Sequence, residues 1–341
     1  MSPMLFLVCA CWVALATAWS AKPYDLEDAE LHFEHFMEQY NKQYFNQAEK
    51  QIRFEIFKSN LESVNKMNEK SNHAVFGITK FMDLTKEEFL STHTGLRTSV
   101  NDNDDPFESD CVMLFDDDIP HVDAPASFDW REHGVVTRVK NQNLNKTYCG
   151  SCYAFAATGN IEGQYALKYG KLQEFSEQQI VDCGHMLGCL GGRACQSFRE
   201  LIKMGGAVSE ADYPYTAEHN DCNFDKSKVK VKLSDCRSYN LTSQEKVKQL
   251  LYKTGPIAIG IASEAIRKYT TGIISDELCS KYPVTHAVLL VGYGTENGND
   301  FWIVKNTWGE EFGEDGYFRM QRGEGASSCN MLNDNMATSI L

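Results

Sequence analysis

Long apolar runs and clustered cations are both scarce in this sequence of 341 residues. Apart from residues 4–18, no stretch approaches the roughly 20 apolar residues that a membrane-spanning helix needs. A nucleic-acid partner requires clustered cations, because they neutralise its phosphates. The sequence has no Lys/Arg-rich run and a formal net charge of -14, which argues against such a partner. With 43% hydrophobic residues the chain is predicted to be globular, with one large or two medium domains and no membrane span.

The one apolar stretch lies at the amino terminus. The run of residues 4–18 ends at Ala18, and Ala18-Trp19-Ser20 is a small-x-small pattern typical of a signal-peptidase site. A membrane anchor is the alternative, but the run is short for a span. The pattern predicts a signal peptide over residues 1–20 and entry into the secretory pathway, with a lysosomal or an extracellular destination.

The twelve cysteines point to disulfides, because the secretory compartment is oxidising. Cys9 and Cys11 leave with the signal, Cys111 lies in an acidic stretch, and nine cysteines follow from Cys149 onward. Nine is an odd number, so four bridges would leave one unpaired thiol. In a secreted protein such a thiol is either partner-seeking or reactive.

The amino-terminal third is free of proline over residues 26–92 and has no glycine before Gly77, which predicts helix. Six residues within it recur at spacings of three or four and therefore share one helix face: Glu49, Arg53, Phe57, Asn60, Val64 and Asn68. An ordinary amphipathic helix would be apolar along that face. The mixed face predicts a docking surface.

Residues 98–123 are rich in aspartate, including the triplet Asp116-Asp117-Asp118. Like charges at this density repel one another, which predicts an extended, exposed linker open to proteolysis.

We therefore divide the chain into a signal peptide (1–20), a helical segment with an acidic linker (21–123) and a compact domain (124–341). In the compact domain, helical patterns precede short strands rich in β-branched and aromatic residues. This order predicts a helical lobe beside a β lobe, and a cleft forms where two lobes meet.

Cys149-Gly-Ser-Cys152-Tyr153 opens a helical pattern, so Cys152 is expected in the first turn, where the helix dipole favours a thiolate. Alone, the Cys-x-x-Cys could equally be a redox pair or half of a zinc site. His286 follows Cys152 by 134 residues and Asn306 by 154, close to the spacing of a cysteine-protease signature. That coupling favours a nucleophile.

At this point the sequence resembles the papain family over essentially its whole length. The stripe on the helical segment resembles the ERFNIN motif of cathepsin L-type zymogens, and Gly77-x-Thr79-x-Phe81-x-Asp83 resembles the adjoining GxNxFxD motif, with Thr for Asn. Ala124-Pro-Ala-Ser-Phe-Asp-Trp-Arg131 looks like a mature amino terminus. The resemblance implies an α+β fold, papain-like with a helical left lobe and a β-barrel-like right lobe, preceded by an inhibitory helical propeptide.

The resemblance also implies roles. Cys152 would be the nucleophile, His286 its base, Asn306 the residue that orients the base, and Gln142 an oxyanion donor. No cofactor and no metal are implied. The propeptide would act as an intramolecular inhibitor that runs through the cleft in reverse, starting near Phe81 to Asp83. The implied substrate-binding residues are Gly191, Gly192, Arg193, Gly260, Thr285, Ala287, Trp308 and Asp334.

Family spacing implies the bridges Cys149–Cys189, Cys183–Cys222 and Cys279–Cys329, and Cys195–Cys236 would form a fourth. The alternative is that Cys111 captures one of that extra pair. Two glycosylation sequons begin at Asn145 and Asn240.

Two features depart from the family pattern. Between Gln142 and Cys149 the chain has four more residues than the usual papain spacing, which predicts a remodelled oxyanion loop. Asp334 aligns with the floor of the S2 pocket, where it would favour a basic side chain in the substrate unless Arg193 pairs with it.

The predicted function is a cysteine endopeptidase made as an inactive precursor and activated by propeptide removal at acidic pH. An exopeptidase of the dipeptidyl or aminopeptidase type, a catalytically silent binding homologue and a propeptide-type protease inhibitor are the alternatives. The partners implied are protein or peptide substrates and cystatin-type inhibitors, acting on a monomer.

Overall fold

A computed structural model describes residues 22–97, 111–144, 147–334 and 336–341. The predicted signal peptide, the first half of the acidic linker (98–110) and Asn145 lie outside these residues. The helices are α1 Ala29–Gln39, α2 Gln47–Lys70, α3 Lys86–His93, α4 Cys152–Tyr169, α5 Glu177–Cys183, α6 Ala194–Met204, α7 Gln244–Thr254 and α8 Asp276–Cys279. The strands are β1 Ala74–Phe76, β2 Val112–Phe115, β3 Phe128–Asp129, β4 Ala207–Val208, β5 Val229–Val231, β6 Asp235–Asn240, β7 Ile257–Ile261, β8 Tyr269–Ile274, β9 His286–Glu296, β10 Asn299–Lys305, β11 Tyr317–Gln321 and β12 Met336–Ile340.

The peptidase domain has two lobes, as the resemblance implies. In the helical lobe, α4 is buried along most of its length and contacts both α5 and α6. In the β lobe, one sheet runs in the order β1-β8-β11-β10-β9-β7-β12-β6-β2, with β3 paired to β9. Helix α4 also packs against β9, so the lobes meet along this helix. In the part of the chain that the structure describes, no helix has the length and apolar character needed to cross a bilayer.

The mixed face of α2 bonds mainly to the amino-terminal segment itself, and Asn60 also contacts the β lobe. Asn60 donates its side-chain amide to the carbonyls of Met82 (2.9 Å) and Leu84 (3.0 Å) and accepts from Arg267 of the peptidase domain (3.1 Å). Asn68 bonds both backbone groups of Phe76. The polar residues of the stripe thus hold the backbone that follows α2, which an apolar face could not do.

The segment upstream of the peptidase domain adds a strand to each edge of the large sheet. Strand β1 pairs antiparallel with β8, and β2 pairs in parallel with β6. The prediction of an extended, exposed linker holds only in part over residues 111–123, because the apolar run Val112–Phe115 pairs with a sheet edge and Cys111 and Ile119 are buried, while most of the aspartates stay exposed. Charge repulsion is outweighed here by backbone hydrogen bonds and by buried sulfur.

Three disulfides match those that the resemblance implies, Cys149–Cys189, Cys183–Cys222 and Cys279–Cys329. At the place of the expected Cys195–Cys236 bridge, three sulfurs lie together, those of Cys111, Cys195 and Cys236. Because a sulfur forms one disulfide at a time, the expected bridge stays a prediction. Among the described cysteines, Cys152 is the one with no other sulfur at bonding distance.

Candidate active site

Cys152 is the first residue of α4 and lies fully buried where the two lobes meet. Its sulfur accepts a hydrogen bond from the backbone N–H of Ala287 at the start of β9 (3.4 Å). Burial raises the pKa of the thiol to about 12, and the backbone donors oppose this rise only in part. With the propeptide in place, the sulfur is therefore a neutral thiol.

His286, the first residue of β9, lies at the lobe interface with Asn306, which directly follows the neighbouring strand β10. Its Nε2 is 2.8 Å from Oδ1 of Asn306, and the ring stacks on Trp308 at 4.6 Å. Nδ1 has no hydrogen-bond partner among the described residues, so this nitrogen remains able to exchange a proton. Burial lowers the pKa of His286 to about 4, against the effect of the Asn306 hydrogen bond.

Gln142 is held at both ends of its side-chain amide. Nε2 donates to the carbonyl of Cys149 (2.9 Å), and Oε1 accepts from the hydroxyl of Thr307 (2.6 Å). An amide nitrogen carries two hydrogens, so one N–H is left for a second acceptor. Gln142 is buried and bonds Cys149, three residues before Cys152, which suits a donor to negative charge near the sulfur.

The residues on either side of the insertion after Gln142 are tied together. Leu144 and Thr147 exchange backbone hydrogen bonds of 3.2 and 2.7 Å. Asn143 accepts the backbone N–H of Cys149 (2.9 Å). Residues 145 and 146 lie outside the described residues, so the remodelled oxyanion loop stays a prediction.

The propeptide passes through the cleft as an extended chain after α3. The N–H groups of Gly95 (3.3 Å) and Leu96 (3.1 Å) donate to the carbonyl of Thr285, and Gly192 donates to the carbonyl of Gly95 (2.9 Å). A side chain at Gly95 would place its Cβ 1.8 Å from the carbonyl oxygen of Gly150, so only glycine fits here.

The passage thus starts at Thr94, later than the sequence predicts. Phe81 packs instead against Trp308 (5.1 Å between ring centroids), and Asp83 accepts from Lys42 (2.7 Å) and Tyr44 (3.0 Å). A helix, α3, separates this cluster from the cleft. The sequence motif therefore marks where the propeptide is anchored, and the cleft-blocking residues follow it.

Leu96 lines a pocket together with Arg193, Gly260, Ala287 and Asp334, and its side chain lies against Gly260. Arg193 Nη2 is 3.3 Å from Oδ1 of Asp334, and both side chains are largely buried. The acidic residue at this pocket is thus paired with a cation. The neighbouring Gly191 has φ of 119°, a conformation that favours glycine.

His93 was not identified from the sequence. It ends α3 and packs against Phe81 (4.8 Å between ring centroids) and Tyr148 (5.4 Å), while its carbonyl accepts from the indole N–H of Trp308 (3.2 Å). Burial, followed by the positive charges of Lys80 and Lys42, lowers the pKa of His93 to about 3. A single histidine in a helical pattern carries no signal of such burial.

A buried charge network also escaped the sequence analysis. Lys140 contacts Glu162 (2.9 Å) and Glu177 (2.7 Å), and Lys305 donates to Thr137 (3.0 Å), which in turn bonds Glu162. The pKa of Glu162 lies below its ordinary value, because Lys140 and Lys305 outweigh the opposing effect of burial. Burial raises the pKa of Glu177 to about 8, since Lys140 compensates only in part and Glu162 adds to the rise.

Comparison with known proteins finds two family models along the chain. Residues 124–339 match the model described as papain family cysteine protease, and residues 33–89 match the cathepsin propeptide inhibitor domain. A viral cathepsin of Spodoptera litura multicapsid nucleopolyhedrovirus is 43% identical over 96% of this chain and 97% of its own.

Solved structures show the same similarity. Digestive procathepsin L2 proteinase from Tenebrio molitor larval midgut superposes with a TM-score of 0.82 at 33% identity, covering 92% of this chain and 100% of its own. Bromelain protease from Ananas comosus, solved with the E64 inhibitor, gives a TM-score of 0.58 at 34% identity over 64% of this chain and 99% of its own.

Proposed function

The chain belongs to the papain family of cysteine proteases and carries a cathepsin-type propeptide inhibitor domain; from this premise we propose that it is an endopeptidase precursor activated by acid. The observation that carries the endopeptidase assignment is the continuous chain in the cleft. Propeptide residues lie on both sides of Cys152, His93 against Trp308 and Leu96 in the Arg193 pocket. A cleft that admits chain on both sides of the nucleophile suits cleavage within a polypeptide.

In the proposed reaction the Cys152 thiolate attacks the substrate carbonyl, and the oxygen that becomes negative accepts from the Cys152 backbone N–H and from the free N–H of Gln142. His286 then protonates the leaving amine from Nδ1, and the acyl-enzyme forms. A water molecule deprotonated by His286 then hydrolyses the thioester of the acyl-enzyme and regenerates the Cys152 thiol. Asn306 holds the imidazole through Nε2, and Trp308 covers their hydrogen bond.

The propeptide would inhibit through its chain direction as well as by filling the cleft. His286 delivers its proton to the leaving amine, so the carboxyl side of a substrate must lie near His286 and Trp308. In the propeptide, the residue near Trp308 is His93, which precedes Gly95 and Leu96 in the chain. The propeptide therefore runs opposite to a productive substrate.

Burial under the propeptide adds a second means of inhibition. The thiol pKa of about 12 and the imidazole pKa of about 4 both disfavour a thiolate–imidazolium pair in the precursor. When the propeptide leaves, water and the dipole of α4 can stabilise the charged pair. The precursor is thus held with an unreactive nucleophile.

Acid is the proposed trigger, and Ala124 marks the proposed end of processing. The predicted signal peptide supports secretion to an acidic lysosome or to an extracellular space, and the sequons at Asn145 and Asn240 support glycosylation; Asn240 is exposed at the end of β6.

The proposed substrate preference follows from the pocket beside Leu96. Arg193 pairs with Asp334 there and offsets its negative charge, and the propeptide places the apolar Leu96 against the same pocket. We therefore expect apolar side chains there to be preferred over basic ones.

The test is to acidify the purified precursor, to add E64 once processing has occurred, and to map the labelled cysteine by mass spectrometry. We expect label on Cys152 and a new amino terminus near Ala124. A Cys152→Ala precursor, purified free of other proteases, should neither label nor process itself. Cleavage of a fluorogenic peptide blocked at both ends would support the endopeptidase, whereas turnover only of peptides with a free terminus would favour the exopeptidase alternative.

A further inference from the structure

Three cysteine sulfurs converge where the acidic segment meets the peptidase domain. The sulfurs of Cys111, Cys195 and Cys236 all lie within 4.8 Å of one another, and all three residues are buried. A sulfur forms one disulfide at a time, so the cluster holds one bridge and one thiol. A structural zinc site usually takes four ligands, and no other His, Cys, Asp or Glu of the described residues joins this group.

The segment that carries Cys111 is also bound through its backbone. Strand β2 pairs with β6 in the register Val112 to Arg237, directly beside Cys236. At the next turn, Asp116 accepts from the backbone N–H groups of Thr242 (3.0 Å) and Ser243 (3.3 Å). The segment therefore completes one edge of the enzyme's own sheet and supplies an acceptor just before α7.

Lys246 of α7 extends this attachment by one more contact, since its ammonium donates to the carbonyl of Ile119 (2.7 Å). Ile119 itself is buried in the same apolar cluster as α7 residues Val247 and Leu250. Residues 111–119 thus pack as part of the peptidase domain, unlike residues 94–97, which occupy its cleft.

We propose that Cys111 forms a disulfide with Cys195 or Cys236, and that residues 111–119 stay covalently attached to the peptidase domain after activation. The proposal relies on the proposed function for the cleavage near Ala124 and for a second cleavage upstream of Cys111. A mature enzyme would then consist of two chains, with a retained strand at the sheet edge beside β6. The third sulfur gives this attachment a built-in route of release.

That route is thiol–disulfide exchange. If Cys111 is bonded to Cys236, the thiolate of Cys195 attacks the sulfur of Cys236, a Cys195–Cys236 bond forms, and Cys111 leaves as a thiolate that takes up a proton. One disulfide is broken and one is made, so no oxidant or reductant is consumed. Exchange needs a thiolate, so acid preserves the attachment and higher pH permits release.

The linkage can be mapped without enzyme activity. A Cys152→Ala precursor is quenched in acid, alkylated, digested with pepsin without reductant and analysed by mass spectrometry. We expect a disulfide from Cys111 to Cys195 or Cys236 in most molecules, with alkylation on the remaining cysteine of the three. A Cys195–Cys236 disulfide with alkylated Cys111 in most molecules would overturn the proposal.

Single variants then test retention in the self-processed protein. Because either partner is within reach, Cys195→Ser and Cys236→Ser should each keep the 111–119 fragment under denaturing, non-reducing conditions and release it with reductant. Cys111→Ser should release it without reductant. Loss of the fragment from either partner variant without reductant would contradict the proposal. Failure of all variants to process would instead count against the proposed function, while the linkage map still decides this inference.

Discussion

The propeptide–cleft contact and the charge network between the lobes are both buried, yet acid should affect them in opposite directions. In the cleft contact, His93 is buried as a neutral base with a pKa of about 3. In the network, Glu177 is buried with a pKa of about 8. As pH falls from about 6.5 toward 3, undocked His93 binds a proton that docked His93 does not, so docking weakens.

For Glu177 the sign is reversed. Between about pH 8 and 4.3 the folded carboxyl holds a proton that the unfolded carboxyl has lost, so folding becomes more favourable as pH falls. The comparison teaches that one precursor can release its inhibitor in acid while its catalytic domain gains stability there. The location of each buried group, rather than the total charge of -14, decides the response.

The largest expected effect is in the charge network. Glu162→Gln leaves Lys140 and Lys305 without their shared carboxylate, so the free energy of unfolding should fall by about 3–5 kcal/mol. Glu177→Gln is the matched control, because a carboxyl that is already protonated near neutral pH resembles an amide; it should cost less than about 1 kcal/mol. Urea unfolding of both variants in a Cys152→Ala background measures the difference. Equal losses would show that the two glutamates share one charge state.

The next effect concerns the cleft contact. His93→Phe keeps a buried ring and removes the group that acid charges, so self-processing at pH 5 should slow by about 10- to 30-fold. His35→Phe, at an exposed position of α1, is the control and should leave the rate unchanged. Processing is followed by gel densitometry between pH 4 and 7. A His93→Phe precursor with the wild-type pH midpoint would remove His93 from the trigger.

A smaller effect is expected from the charge pair beside the cleft. Arg193→Ala removes the cation beside Asp334, so turnover of an Arg-Arg substrate relative to Phe-Arg should rise by about 10-fold. Adding Asp334→Ala should remove that gain. The kcat/KM ratios of the two fluorogenic substrates decide the point. A rise that persists in the double variant would mean that the pair is not the source of the preference.

The smallest effect lies on the exposed rim of the propeptide. Desolvation raises the pKa of Glu88, but the hydrogen bonds from Arg53 and Thr85 lower it further than desolvation raises it. The stabilisation that these bonds give to the docked propeptide is lost as pH falls through the lowered pKa. Glu88→Gln keeps an acceptor for the helix cap and loses the ion pair. Processing at pH 6 should quicken by about 2- to 5-fold, as expected for an exposed pair. At a pH below that lowered pKa, the variant and the wild type should converge.

The sequence predicted what local pattern and spacing encode. Cys152 at a helix start, His286 at a strand start and the polar stripe on α2 each have a periodic or positional signature, and the structure has all three in the expected elements. His93 and Glu177 have no such signature, because their burial arises only when distant segments pack. From the sequence, the contact of Cys111 with Cys195 or Cys236 is predicted only as an alternative, because parity counts thiols but does not locate them, and Cys111 lies in a segment whose charge suggests exposure.

The most direct test of the account is the pH dependence of Cys152 alkylation by iodoacetamide, followed by mass spectrometry in precursor and processed enzyme. The account predicts that processed Cys152 reacts at pH 5 nearly as fast as at pH 8, because a thiolate–imidazolium pair persists in acid, while Cys152 in the precursor stays unlabelled. A processed enzyme whose rate rises tenfold per pH unit, as for an ordinary thiol, would contradict it.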